Sequence, residues 1–167
     1  MDLGLGGARV VVSGGSKGMG RAAAERFAAD GAQVAVLARG KDALEETVEA
    51  LRGLGSPDAL GIPTDLTDAN SVQAAFDTVT ERWGSLNVLV NAAGPVEVGV
   101  RPFDELDDAE WLATFGIGTL SAVRCLCARG AAGAAGGRVG AHRQRQRPFH
   151  PAAGPRGWSP TPRPSRR

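Results

Sequence analysis

Apolar positions in the first two-thirds of the chain switch repeatedly between a strand period and a helix period. The run Ala8-Arg9-Val10-Val11-Val12-Ser13 is β-branched and stops at Gly14 and Gly15, which predicts a buried strand over residues 8–13. Residues 18–30 predict an Ala-rich helix closed by Asp30-Gly31, and Gln33 to Ala38 a second short apolar strand. From Lys41 to Arg52, Leu44, Val48 and Leu51 recur at helical spacing before Gly53 and Gly55 end the pattern. Ala59 to Pro63 predicts a third strand. Thr67 or Asp68 can cap a helix that runs to Trp83 with Val72, Ala75, Phe76 and Val79 on one face. Leu86 to Val90 predicts a fourth strand, and Asp107 to about Cys127 a further helix.

Strands alternating with helices at these intervals predict an α/β fold, a doubly wound parallel sheet with helices on both faces. Right-handed crossovers put the four strands in the order 3-2-1-4. Ligands of such sheets lie beyond the carboxyl ends of the strands, where the order reverses between strands 1 and 4. The turns after those two strands, Ser13–Gly20 and Asn91–Gly94, both border that crevice.

Composition changes this picture at one place. The net charge of +1 conceals a split, because all 18 acidic residues lie at or before Glu110. The chain carries about −9 up to that point and about +10 after it. From about Cys127 the sequence becomes Ala, Gly, Arg and Pro, and no helix or strand period is legible. Cys125 and Cys127 are two apart, which points them to different faces of a helix and excludes a metal or redox pair. His142 and His150 have no acidic or Cys partner at ligand spacing, so no metal site is expected. Asp104, Glu105, Asp107 and Asp108 read as a helix start favoured by the dipole. Trp83, Trp111, Phe76 and Phe115 read as core or helix-packing residues. No apolar run reads as long enough to span a membrane and no signal-peptide pattern opens the chain, so a soluble cytoplasmic protein is expected.

The strand–glycine turn–helix at Ser13-Gly14-Gly15-Ser16-Lys17-Gly18-Met19-Gly20 is how a chain presents backbone N–H groups and a helix N-terminus to a phosphate. Gly14 permits the sharp turn, Gly18 a close approach of backbone to pyrophosphate, and Gly20 close packing of helix on strand.

With these residues in place, the chain from residue 1 to about 126 resembles the short-chain dehydrogenase/reductase family. Ser13–Gly20 is similar to its T-G-x-x-x-G-x-G motif. Asp65-Leu66 resembles its acidic adenine contact after strand 3, and Asn91-Ala92-Ala93-Gly94 its N-N-A-G motif with Ala92 in place of the second Asn. The resemblance implies a Rossmann-like fold that binds a nicotinamide dinucleotide through Ser13, Gly14, Ser16, Lys17, Gly18, Met19, Gly20, Arg39, Asp65, Leu66, Asn91, Ala92, Ala93 and Gly94. It implies hydride transfer on a small alcohol or carbonyl substrate. Strand 2 ends in Ala38-Arg39 with no acid for a free ribose 2′-hydroxyl, and Lys17 lies in the glycine turn, so NADP(H) is favoured over NAD(H). The family's catalytic set is a Tyr, a Lys four residues later, a Ser and an Asn. The adjacent cation makes the phenol a usable base. Here the sequence holds no Tyr, no Lys follows Lys41, and the Asn position falls at Gly118. No catalytic residue is assigned, and the chain as written is expected to be inactive. A non-catalytic dinucleotide-binding protein is the alternative.

The domain boundary is placed at residue 127, with a partial dinucleotide-binding domain before it and a disordered basic segment over 128–167. That segment has two readings. One is a tail that binds nucleic acid or acidic partners, a partner class not favoured here. The other is a frameshift. Shifted by one base, the codons of Val139, Gly140 and Ala141 allow Trp, Gly and Arg. Those of His142 to Arg147 allow Ile, Val, Asn, Val, Ser and Ala, which is similar to the family's strand 5. On this reading strand 4 is left as a sheet edge, and the truncated chain is not expected to form the family's oligomer.

Overall fold

The computed structural model describes residues 4–94 and 103–135. Four parallel strands form one sheet in the order β3-β2-β1-β4, with β1 at Arg9–Ser13, β2 at Gln33–Ala38, β3 at Ala59–Pro63 and β4 at Val88–Asn91. Register is continuous: Val10 lies opposite Val34 on one side and Val88 on the other. Between them run α1 (Gly18–Ala29), α2 (Lys41–Gly53) and α3 (Ala69–Trp83). After β4 a short 3-10 turn at Phe103–Glu105 precedes α4 (Asp108–Phe115), a π-helical turn at Gly116–Leu120, and α5 (Ser121–Ala135). The order 3-2-1-4 and the Rossmann-like fold expected from the sequence are those observed.

Side chains of a strand alternate between faces, so the β-branched run of β1 serves two cores. Val10 and Val12 pack with Ala24, Ala28, Val34, Val36, Leu44 and Leu51 beneath α1 and α2. Val11 packs with Leu37, Val72, Phe76, Val79, Trp83 and Cys125 beneath α3 and α5. The small residues Ala24 and Ala28 let α1 lie close on the sheet. Helix α3 is fixed at both ends: Asp68 accepts from the N–H groups of Asn70 and Ser71, and Gly84 closes it with φ +75°. Asp58 ties its last turn to the sheet, accepting from Arg82 Nε and Trp83 Nε1, both at 2.9 Å. The Arg82 guanidinium and the indole N–H hold the Asp58 carboxyl below the usual carboxylate range.

Three expectations need correction. Trp83 and Phe76 are buried, but Trp111 and Phe115 are 43% and 59% exposed. They project from α4, over which no further layer lies among the described residues. The helix expected to end near Cys127 continues to Ala135. Its added residues are Ala-rich, and Ala favours helix without leaving an apolar period to read. Finally, one helical run, Asp108–Gly130, is long and apolar enough to cross a membrane by length and composition, with mean hydropathy 1.4. The Leu, Ile, Val, Phe and Cys residues that carry that mean are interspersed with Gly, Ser, Thr and Arg, so no unbroken hydrophobic block marks the run in the sequence. The run also makes the contacts of a helix layered on a sheet. Cys125 and Ala128 are buried, and Arg124 and Arg129 donate to the carbonyls of Leu66 and Asn87. The expected basic segment lies, from residue 136 onward, outside the described residues.

Candidate functional site

The carboxyl ends of β1 and β4 meet at Ser13 and Asn91, which are register partners. Ser13 is buried, and its hydroxyl donates to Asn91 Oδ1 at 3.2 Å. Just beyond, Gly14 turns the chain with φ +72°, and a Cβ there would stand 2.8 Å from the Ala93 Cα and N atoms. The glycine turn and the Asn91–Gly94 turn therefore touch backbone to backbone, which only a residue without a side chain permits. Gly20 closes the third side, since a Cβ there would overlap the Gly14 carbonyl oxygen and crowd Ala92 Cβ. Gly18 is the opposite case. It has φ +53°, yet nothing lies within 4 Å of where its Cβ would be, so its backbone faces open space.

That open space lies at the N-terminus of α1. The cap position is Lys17, whose extended backbone opens the helix without a side-chain hydrogen bond to the first turn. Gly40, at the start of α2, gives no side-chain cap either, whereas Asp68 and Asp107 cap α3 and α4. First-turn N–H groups at α1 are thus left for an outside acceptor, and the helix dipole adds a partial positive charge. Ser16 is half-buried in the turn, while Lys17 and Met19 are exposed, Met19 to 87%.

The β3 side contributes Asp65 and Leu66. Thr67 donates to Asp65 Oδ1 through both its hydroxyl, at 2.7 Å, and its N–H, at 2.9 Å. These bonds, with smaller help from the Arg39 and Arg124 charges, hold the Asp65 carboxyl below its ordinary value. The Asp65 N–H donates to Ser71 Oγ at 3.0 Å, so α3 fixes the loop. Arg39 is exposed immediately after β2, close enough for its charge to act on Asp65. The neighbouring Leu66 is buried, and its carbonyl accepts from Arg124 of α5 at 3.3 Å.

Ser71 and Arg124 are supports that the sequence reading did not single out, and it offered Thr67 only as a helix cap, a role that Asp68 fills. The Asp-x-Thr spacing of a side-chain turn was a legible signal for Thr67, whereas Arg124 is distant in sequence and carried none. Cys125 is also drawn in: it is fully buried beside Ser13, and burial pushes its thiol pKa up. The Asn position, Gly118, falls in the π-helical turn between α4 and α5. Among the described residues, no group of His, Cys, Asp and Glu is placed to hold a metal.

A family model described as short chain dehydrogenase matches residues 8–138. The chain belongs to this family. An uncharacterized oxidoreductase of Bacillus subtilis, YvrD, is 36% identical over 124 residues, which is 74% of this chain and 45% of that protein. Among solved structures, the L-sorbose reductase of Gluconobacter frateurii, complexed with NADPH and L-sorbose, superposes with a TM-score of 0.73 at 30% identity. The match covers 79% of this chain and 49% of that one. An NADH-dependent reductase complexed with NAD gives a TM-score of 0.69 at 25% identity, over 77% of this chain and 53% of that one. The chain spans about half the length of the relatives it matches. Family members thus include proteins with either dinucleotide bound, and the family's chemistry is that of oxidoreductases on small molecules.

Proposed function

We propose that this chain binds NADP(H) across the carboxyl ends of β1, β2 and β4, and that by itself it does not carry out hydride transfer. The observation that carries the binding half is the open backbone at Gly18, set on an uncapped helix N-terminus between two glycines packed against neighbouring backbone. Such a cradle fits a pyrophosphate, which a Cβ would displace. Ser13, Gly14, Ser16, Lys17, Gly18, Met19 and Gly20 form its floor and wall. Asp65 and Leu66 receive the adenine, and Asn91, Ala92, Ala93 and Gly94 flank the ribose and nicotinamide side. Lys17 and Arg39 supply the cations that a ribose 2′-phosphate needs.

When bound, the dinucleotide supplies hydride-transfer chemistry. A proton must then be given or taken at the substrate oxygen, and this sequence offers no tyrosine for that purpose. Gly118 has no side chain with which to support a relay. The substrate in the parent family is a small alcohol or carbonyl compound, and a cytoplasmic location belongs to the same proposal.

Titration of the full chain with NADPH and NADH, followed by cofactor fluorescence, tests the reading. NADPH should bind at least about tenfold tighter, a difference of ~1.4 kcal/mol. Combined Lys17→Ala and Arg39→Ala substitution should remove most of that margin. Tighter NADH binding overturns the preference, and no binding of either overturns the site. Steady consumption of NADPH with any of a panel of aldehydes and ketones overturns the inactivity.

A further inference from the structure

Between β3 and α3 the chain crosses the carboxyl end of the sheet as Thr64-Asp65-Leu66-Thr67-Asp68. Nearby partners settle most of its backbone. The Thr64 N–H donates to the Ala38 carbonyl at 2.8 Å, at the end of β2, and the Asp68 N–H to the Asp65 carbonyl at 3.1 Å. Ser71 Oγ and the Asp65 carboxylate take the N–H groups of Asp65 and Thr67. The Leu66 carbonyl is different. Leu66 is buried in the core with Val72 and Phe76 of α3, so its carbonyl needs a donor from within the protein. That donor is Arg124 Nη1 of α5, at 3.3 Å.

Arg124 is itself half-buried, and none of the ion pairs among the described residues includes it. Its guanidinium is held by a carbonyl rather than a carboxylate, and its charge is left to act on Asp65. Further along α5, Arg129 makes the same kind of bond, to the Asn87 carbonyl at 3.1 Å. Asn87 precedes β4 whereas Leu66 follows β3, so the two arginines serve opposite ends of a parallel sheet. Of the pair, Arg124 stands at the end where the crevice opens.

We propose that Arg124 is a positioning residue for the adenosine end of the cofactor: its bond to the Leu66 carbonyl holds the Asp65–Leu66 segment in the setting that receives the base. This rests on the reading of the crevice as a dinucleotide site. Arg124 acts through the Leu66 carbonyl and, by its charge, through the Asp65 carboxylate, which Thr67 holds from the other side. Helix α5 thereby becomes part of the site without contributing a contact to the ligand. A single donor is what the geometry requires, so lysine can stand in for arginine and methionine cannot.

Titration of the full chain with NADPH and with adenosine 2′,5′-bisphosphate, which lacks the nicotinamide half, tests this. Arg124→Met should weaken both ligands by the same factor, about fivefold, the worth of one ordinary hydrogen bond. Arg124→Lys should recover most of that loss. The Asp65 carboxyl, followed by NMR, should titrate at higher pH in Arg124→Met and return toward its original position in Arg124→Lys. A purely structural role would lower the unfolding midpoint yet leave the affinities and the Asp65 titration of the folded variant unchanged, and that result overturns the proposal. So does a loss at lysine equal to that at methionine. The unaltered chain supplies a test that needs no variant. Saturation with adenosine 2′,5′-bisphosphate should shift the Arg124 side-chain NMR signal and leave that of Arg129 in place; an unmoved Arg124 signal overturns the role. Failure of both ligands to bind the unaltered chain overturns the reading of the crevice itself, whereas normal binding by Arg124→Met overturns only the part given to Arg124.

Discussion

Replacing Gly14 and Gly18 separately by alanine separates two uses of glycine in one turn. Both positions have positive φ, +72° and +53°, so each alanine incurs a left-handed backbone cost of about 1–2 kcal/mol. Their surroundings differ. At Gly14 the new Cβ would sit 2.8 Å from two backbone atoms of Ala93, against 3.4–4 Å for ordinary contact. The Asn91–Gly94 turn would have to retreat, and overpacking of this kind adds about 1–3 kcal/mol. Gly14→Ala should therefore destabilise by about 2–5 kcal/mol, a large share of a domain's usual margin. At Gly18 nothing lies within 4 Å, so only the backbone cost applies to folding. The Cβ there would instead occupy the space proposed for pyrophosphate. Urea unfolding followed by tryptophan fluorescence measures the first effect, and NADPH titration of the folded variant measures the second. Gly18→Ala should lose binding while keeping most of the stability. Equal stability losses at the two sites would refute the distinction, as would a Gly14→Ala cost below about 1 kcal/mol or undiminished NADPH binding by Gly18→Ala.

Further outcomes are expected elsewhere. Asp58→Ala leaves the Trp83 indole N–H without its partner, so a loss of about 1–3 kcal/mol in urea unfolding is expected. Phe76→Ala removes a fully buried ring from the α3 face and should cost about 3–5 kcal/mol by the same measurement. Thr67→Val removes the hydroxyl donor to Asp65, and the Asp65 carboxyl should titrate at higher pH by NMR. Asp58 and Asp65 both have lowered folded pKa values, so their contribution is present above the unfolded carboxylate value near ~3.9 and is lost as pH falls through the folded ones. Stability from these groups should be flat between about pH 5 and 7 and fall below about pH 4, as an acid titration of circular dichroism would show.

Much of the fold was legible because the signals that build it are local. The β-branched run of β1, the Asp68 cap of α3 and the glycines closing each helix act within a few residues of their own positions, and right-handed crossovers then leave few ways to order the strands. β3 falls at Ala59–Pro63 in both readings, and β4 begins two residues later than the apolar run LNVLV suggests, just after Asn87, whose N–H donates to the Arg9 carbonyl and whose Oδ1 accepts from the Arg9 N–H. The α4–α5 region was read less well. Trp111 and Phe115 carry helical spacing, but exposure depends on what lies over them, and spacing carries no record of that.

The sequence by itself determined which residues border the crevice, since strand order and turn chemistry follow from local pattern. It also determined that no tyrosine is present and that charge and composition break after Glu110. Only the tertiary structure decided that Gly14 and Gly20 are packing requirements while Gly18 faces open space, because these differ in what distant backbone segments approach them. It alone joined Arg124 to the Leu66 carbonyl across 58 positions and set Cys125 beside Ser13. The physical reason is common to all of these. Propensity and period act along the chain, whereas contact, burial and an open strand edge arise from segments that the sequence keeps far apart.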